Sequence, residues 1–391
     1  MREQAMIRHA LRVIEHYDAS VPLHRQLAGY FRANKAMGSR DRREVRAIVY
    51  PYFRLGAALS NLAAEERLAI GNFLCSFQTS ATLEELFHTF HIPPFELHKS
   101  IAEKLLLVVQ KYPTFRQSDL FPLLHLVSPQ LDHSVFTQSM LQQPLVWIRV
   151  LAAYRSAVEN DFQQVGFVYA VHPERPLSWS FDPSVKLTET ESYRNGFFEI
   201  QDVSSQIAGD AFLPASGELW WDACAASGGK SLQLLEKQND IKLLATDVRS
   251  AILENYRERL QRAGYTPEIA VADLTKDDFH PEKAFDAIIA DVPCSGSGTW
   301  SRTPEMCTGF IEADVKQRFI PLQRQIISRL ISRLKSGGTL YFITCSVFFA
   351  ENEENIHWLV DAFDMKLVRN VYLKGMDQRA DSMFLAVLVK N

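Results

Sequence analysis

Apolar residues recur at three- and four-residue steps in the first third of the chain. Ile7, Ala10, Leu11, Ile14 and Tyr17 form one series, and Val45, Ile48, Val49 and Tyr52 another. That spacing puts each series on one helix face. Residues 4 to about 140 are therefore expected to be all-helical. Pro51 should end or kink its helix, while Pro93-Pro94, Pro113, Pro122 and Pro129 divide the remainder into short segments. From 145 to about 205, apolar bursts (PLVWIRV, VGFVYAV) alternate with polar stretches such as DPSVKLTETESYRNG, which predicts a small α+β connector. From 217 onward the pattern changes again. LWWDACA, KLLATDV, EIAVADL, FDAIIADVP and GTLYFITCS read as strands, with helices over 249–263 and 314–334 among the intervening segments. Strands alternating with helices predict right-handed βαβ units and a Rossmann-like, doubly wound, mostly parallel sheet. The last two strands, MKLVRNVYL and SMFLAVLVK, have too short a connection for a crossover, so they predict an antiparallel hairpin at the edge. The expected division is 1–140 all-α, 141–205 connector and 206–391 α/β.

The chain has 391 residues, too many for one ordinary core, so two or three domains are expected. Its 47% apolar and 23% charged content is that of a folded protein, which sets disorder aside. The opening MREQAMIRHALRVIEHY is charged throughout and lacks the apolar run of a signal peptide. No later stretch offers about 18 uncharged apolar residues, so a cytoplasmic protein with no membrane association is expected. The cysteines, Cys75, Cys224, Cys294, Cys307 and Cys345, are odd in number and have no CxxC spacing. Free thiols are expected, with neither disulfides nor a bound metal. A net charge of -4 speaks against a nucleic-acid partner, but the charge is uneven. Residues 1–54 hold 11 Arg or Lys against 5 Asp or Glu, and Arg40, Arg42, Arg43 and Arg46 crowd into GSRDRREVR. This run reads equally as a phosphate-binding patch or as a solvated helix face.

In a doubly wound sheet, ligands bind beyond the carboxyl ends of the strands. The first strand runs into DACAASGGKS, Asp222 to Ser231, a small-residue turn that lets a ligand approach backbone N–H groups. A phosphate-cradling Gly-x4-Gly-Lys-Ser/Thr loop would need glycine at position 224, which is Cys224, and GxGxxG is absent. Close packing is the plain alternative for these small residues. Asp247 ends the second strand 18 residues after Gly229, near the spacing at which a carboxylate receives ribose hydroxyls. Asp273 follows the third strand and is a candidate partner for an adenine amino group. A lone strand-end Asp usually caps or forms a turn, but three successive ones, Asp222, Asp247 and Asp273, favour an adenosine site.

The fourth strand leads into DVPCSGSG from Asp291 and the fifth into Thr344-Cys345-Ser346, so Cys294 and Cys345 emerge at neighbouring loops. A single cysteine there would read as a small buried hydrophobe. A pair flanked by small polar residues suggests thiol chemistry. Methylation of an exocyclic amino group needs no covalent step, and its usual Asp/Asn-Pro-Pro-Tyr/Phe loop ends in an aromatic where this chain has Cys294. Carbon 5 of cytosine is a poor nucleophile until a group such as a thiolate adds at carbon 6. The cysteines favour carbon over nitrogen.

From about 145 to its end the chain resembles the Sun-type (RsmB/Nop) family of RNA cytosine-5 methyltransferases. The resemblance rests on PLVWIRV, GFFEIQDVSSQ, DACAASGGKS, DVPCSGSGTWSRTPE, LQRQIISRLISRLKSGGTLYFITCS and ENEENI. SRDRREVRAIVYPYFRL more loosely resembles the NusB-like RNA-binding domain of bacterial members that act on small-subunit ribosomal RNA. The resemblance implies S-adenosylmethionine as cofactor, RNA as partner and Cys345 as the nucleophile. It implies that Asp291 binds the cytosine edge at nitrogen 3, carrying or sharing a proton, that Cys294 assists removal of the hydrogen at carbon 5 and release of Cys345, and that Lys230 orients the substrate. Ala223, Cys224, Ala225, Ala226, Ser227, Gly228, Gly229 and Lys230, with Asp247, Asp273 and Asp291, would hold the cofactor, and Arg40, Arg42 and Arg43 the RNA. A monomer is expected.

Three departures from the family pattern stand out: Ser227 for a proline, which should loosen the turn; Ile343 before Thr344-Cys345; and Ser382-Met383-Phe384 for Gly-Phe-Phe, which questions a loop. Two alternatives remain. One is an RNA-binding assembly factor with a vestigial methyltransferase fold, which the presence of Cys294, Cys345, Asp291 and Lys230 opposes. The other is DNA as substrate, since DNA cytosine-5 enzymes place their nucleophile in the Pro-Cys loop, and the added Thr-Cys motif opposes that.

Overall fold

A computed structural model of the protein describes residues 2–276 and 279–391. The chain forms two compact units, one of Met1–Gln143 with Thr299–Glu312, the other of Pro144–Gly298 with Ala313–Asn391.

The first unit is helical. The helix Arg2–Glu15 buries Met6, Ile7, Ala10, Val13 and Ile14, and Ser39–Phe53 buries Val45, Ile48, Val49 and Phe53, so the three-and-four spacing marks core-facing stripes. Pro51 does not stop its helix at once; the helix runs two residues further. The missing N–H removes one bond of the ladder, and with only two helical residues after it there is little helix left to break. The helix Ala64–Cys75 packs against it, with Asn72 Nδ2 donating to the Ile48 carbonyl at 3.0 Å. The fragment Thr299–Glu312, which the sequence pattern assigns to 206–391, packs into this helical unit. There the rings of Trp300 and Phe121 lie 5.4 Å apart, and the buried Glu305 carboxylate accepts from the Leu23 amide at 3.2 Å.

The second unit holds two sheets. The smaller is antiparallel, built from β1 (Val146–Val150), β2 (Ala170–His172), β3 (Arg175–Phe181) and β4 (Phe198–Ile200) in the order β2-β3-β1-β4. Its core of Ile148, Trp179, Phe181 and Phe198 packs on Val158 and Phe162 of the helix Arg155–Gln164. The larger sheet contains β5 (Leu219–Asp222), β6 (Lys242–Asp247), β7 (Glu268–Val271), β8 (Phe285–Asp291), β9 (Leu334–Thr344), β10 (Met365–Lys374) and β11 (Ser382–Lys390). Its order is β10-β11-β9-β8-β5-β6-β7, parallel from β7 to β9 and antiparallel from β9 to β10. The fold is the Rossmann-like doubly wound sheet with an antiparallel terminal hairpin. Trp220 and Trp221 are adjacent and both 1% exposed, as a central strand covered on both faces requires.

From β5 the chain winds outward through β6 and β7, then returns to β8 on the opposite side of β5 and continues to β9. The reversal opens a crevice at the carboxyl ends of β5 and β8, where such folds bind ligands. Asp222 ends one of these strands and Asp291 the other.

Candidate active site

The crevice is a cleft of about 220 Å³ lined by Gln201, Ser205, Asp222, Lys230, Asp291 and most of the small-residue turn. The turn is held open by backbone geometry. Ala226 (φ +47°) and Gly228 (φ +83°) are left-handed, and a Cβ at 228 would lie 2.6 Å from the Tyr256 ring, so only glycine fits there. Cys224, Ala225, Ala226, Ser227 and Gly229 face the cleft, while Ala223 is buried behind them with its amide on the Ile289 carbonyl at 2.9 Å. Burial pushes the Asp222 carboxyl up to about 7, against the pull of the Ser231 hydroxyl at 2.6 Å and the Lys230 ammonium. Its other oxygen, Oδ1, is buried without a partner. Burial also pushes the Cys224 thiol up, with nearby carboxylates adding to the effect. Ser227 does not loosen the turn. Arg259 Nη1 donates to its hydroxyl at 3.0 Å and its carbonyl at 3.1 Å, and Arg259 is itself paired with buried Glu199 at 3.0 Å. A tertiary clamp thus replaces the proline ring.

Asp247 is buried at the end of β6. Its Oδ2 accepts from the Ala226 amide at 3.0 Å and from Arg249 Nη2 at 2.9 Å, and its Oδ1 from the Arg249 amide and Nε. Burial would raise this carboxyl, but the Arg249 bonds outweigh it and hold it below the usual range. Asp273 is in a different setting. Its Oδ1 accepts from the Thr275 amide at 3.0 Å and hydroxyl at 2.6 Å, and Lys276 pairs with its Oδ2 at 3.3 Å. These are turn-forming bonds, and neither Asp273 nor Asp247 lines the cleft.

Asp291 and Lys230 meet across the cleft, Nζ to Oδ2 at 2.5 Å, with Ser205 Oγ 3.4 Å from the ammonium. Burial disfavours the charged lysine, but Asp291 more than offsets it and holds the ammonium above the ordinary lysine value. Because β8 and β9 pair in parallel, with Asp291 opposite Ile343, the Pro-Cys and Thr-Cys loops leave the sheet side by side. The Cys294 and Cys345 sulfurs lie 3.3 Å apart, both half-buried. The Cys345 contact, then burial, then the Glu351 charge hold the Cys294 thiol well above its ordinary value. Two thiols at this distance can exchange a proton while one of them attacks carbon.

The departures at the C-terminus are resolved by packing. Ile343 and Met383 are buried core residues, and Ser382 and Met383 open β11 rather than forming a loop. Sequence reasoning assigned no role to the residues that hold the thiol loops together. Glu351, Asn352 and Asn355 of ENEENI and Gln323 are fully buried beside Ser295 and Ser346. Gln201 of IQDVSSQ accepts from Arg149 Nε at 3.0 Å, tying β1 to the cleft wall. The signal available was polar residues recurring at positions where a helix should be apolar. In the helical unit, Arg40 and Arg43 are exposed on Ser39–Phe53, whereas Arg42 Nε donates to the Met37 carbonyl at 2.9 Å.

Residues 211–384 match the family described as 16S rRNA methyltransferase RsmB/F. Ribosomal RNA small subunit methyltransferase B of Yersinia enterocolitica is 30% identical over 218 residues, covering 55% of this chain and 51% of that protein. The protein of that name from Shewanella oneidensis is 36% identical over 177 residues, covering 45% and 41%. The chain therefore spans about half the length of these curated relatives. The crystal structure of PH0851 superposes with a TM-score of 0.71 at 21% identity, covering 100% of this chain and 98% of that one. A methyltransferase homolog from Pyrococcus horikoshii gives 0.54 at 25%, covering 66% and 90%.

Proposed function

We propose that this chain, whose residues 211–384 form a methyltransferase domain of the RsmB/F family, methylates carbon 5 of a cytosine in small-subunit ribosomal RNA through Cys345. The observation that carries this reading is the thiol pair, Cys294 and Cys345 at 3.3 Å, beside a sheet end where Asp291 and Lys230 meet at 2.5 Å. The residues around the cleft fit S-adenosylmethionine. Their turn can approach a ligand backbone-first, and the unpartnered Asp222 Oδ1 is a ready acceptor for a polar group. The turn 223–229, Lys230, Asp247, Asp273 and Asp291 would hold it; Asp247 and Asp273 would exchange bonds to Arg249 and Thr275 for bonds to the ligand. The bound cofactor supplies an electrophilic methyl group.

In this reading the Cys345 thiolate adds to carbon 6, forming a C–S bond. The displaced electrons settle on nitrogen 3, where the Lys230–Asp291 pair delivers a proton. The pair meets the requirement for a shared proton, since the lysine provides it. Carbon 5 thereby becomes nucleophilic, and the bound cofactor would supply the methyl group to it, its sulfonium sulfur keeping the electrons of the broken S–CH3 bond. For release, Cys294 passes its thiol proton to the departing Cys345 sulfur and receives the carbon 5 proton, so the C5=C6 bond reforms and protons balance. Nitrogen 3 returns its proton to the Lys230–Asp291 pair. The target base must be unstacked or single-stranded to present this edge, at a cost of a few kcal/mol.

The direct test is to incubate the protein with methyl-labelled S-adenosylmethionine and either small ribosomal subunits or their naked RNA, then digest to nucleosides. Label in 5-methylcytidine is expected; label in N4-methylcytidine, or cofactor binding without transfer to either substrate, would overturn the reading.

Arg40, Arg42 and Arg43 are proposed to contact RNA phosphates. Replacing all three with Gln should weaken RNA binding and flatten its logarithmic salt dependence by roughly 0.7 per lost contact. Arg42, which is tied to Met37, should contribute least. An unchanged slope returns the run to a solvated helix face.

A further inference from the structure

Arg259, near the end of the helix Ser250–Arg262, turns its guanidinium toward the small-residue turn and lines the cleft. Its Nη1 donates to the Ser227 hydroxyl at 3.0 Å and to the Ser227 carbonyl at 3.1 Å, and its Nε pairs with Glu199 at 3.0 Å. Glu199 is buried on β4 of the smaller sheet and accepts a second cation, Arg262 Nη2, at 2.7 Å. Arg262 in turn lies over the Tyr193 ring, 4.6 Å from its centre. The guanidinium is therefore aimed at the turn by groups that lie outside it.

The turn needs such a hold. Ala226 carries a side chain and yet is left-handed, a conformation that persists only where its surroundings over-determine it. On one side its amide donates to Asp247 Oδ2 at 3.0 Å. On the other side the family pattern has a proline, whose ring fixes its own φ. Ser227 has no ring, so the Arg259 bonds supply the constraint from outside. The clamp uses the serine's hydroxyl and carbonyl and leaves its amide out, so a proline could stand there without costing the clamp an amide bond. We infer that Arg259 is a positioning residue for the cofactor: it holds the turn 223–229 in the shape that receives S-adenosylmethionine, so that cofactor affinity depends on a guanidinium anchored to the smaller sheet. This rests on reading the cleft as the cofactor site. A turn ordered before the ligand arrives binds more tightly than one that binding itself must order.

Calorimetric binding of S-adenosylhomocysteine to the full chain, without RNA, tests this apart from methyl transfer. Arg259→Ala should weaken binding by about tenfold, the scale of one charge-assisted hydrogen bond. Adding Ser227→Pro to that variant should bring the affinity back to within about threefold of wild type, because the ring restores the constraint. Arg259→Lys keeps a cation for Glu199 and so guards against a variant that fails to fold. Its single ammonium cannot serve Glu199 and Ser227 together, so it too should bind more weakly and be recovered by Ser227→Pro. A residue that merely ties the smaller sheet to the larger would lower the melting temperature when replaced, and Ser227→Pro would restore nothing. Affinity within about twofold of wild type in both Arg259 variants, or a loss that Ser227→Pro leaves in place, would overturn the inference. A wild-type chain that binds no S-adenosylhomocysteine would overturn the reading of the cleft and the inference with it. Binding and rescue as expected, with no methyl transfer to RNA, would instead strike at the proposed function alone.

Discussion

Cys294→Ala should accumulate as a covalent protein–RNA adduct, whereas Cys345→Ala should form no adduct and lose methyl transfer to below about 10⁻⁴ of wild type, the scale on which removing a covalent nucleophile acts. The two half-buried sulfurs are only 3.3 Å apart, so local disturbance from either truncation is similar. In the proposed mechanism their roles differ in time. Cys345 forms the bond to carbon 6, so without it nothing attaches. Cys294 acts when that bond breaks, passing a proton to the departing sulfur, so without it attack proceeds and release stalls. A denaturing gel after incubation with RNA and S-adenosylmethionine checks this through an RNase-sensitive shifted band. Equal, adduct-free loss in both variants would sink the division of labour, and an adduct with Cys345→Ala alone would invert it.

Lys230→Met should reduce kcat by about 10² to 10³-fold, the usual cost of removing one preorganised charge-stabilising donor. Methionine keeps much of the stem of a side chain that is 11% exposed, so packing is largely preserved. What is lost is the ammonium 2.5 Å from Asp291, which also lowers the Asp222 carboxyl. Without it, no proton is delivered to nitrogen 3 and two carboxylates lose their cation. The pH behaviour follows from the sign of the shift. The folded Lys230 value is raised, so its contribution is complete below the ordinary lysine value of 10.5 and is lost only as pH rises through the higher folded value. The deficit relative to wild type should therefore be constant from about pH 6 to 9. Single-turnover rates across that range are the measurement. Activity within threefold of wild type would remove Lys230 from the chemistry, and a deficit that fades with rising pH would mean the lysine is neutral in the working enzyme.

The fold was largely legible because its signals are local. The run LWWDACA reads as a strand, and in β5 both tryptophans are buried. The short link between β10 and β11 predicts a hairpin, and the pair is antiparallel. The loops at the strand ends also lie on one side, since in a parallel sheet every carboxyl end faces the same way. Local pattern was less informative where a partner comes from elsewhere in the chain. Ser227 looked like a loosened turn because Arg259, its anchor, is 32 residues away in sequence. The bond from Thr275 to Asp273 gives no sign of itself in a strand-end carboxylate, although it lies only two residues away. Thr299–Glu312 carried no composition signal separating it from the rest of 206–391, yet it packs with the N-terminal helices.

The sequence by itself determined the element types, their alternation and which side chains stand at strand ends, because period and spacing are properties of a few consecutive residues. Only the tertiary structure decided that Lys230 sits on Asp291 rather than in solvent, that the two sulfurs touch, and that Glu351 accepts from the serines that follow both cysteines. These are distances between residues tens of positions apart, and the energies that set thiol and lysine protonation vary with such distances and with burial, neither of which a linear pattern contains.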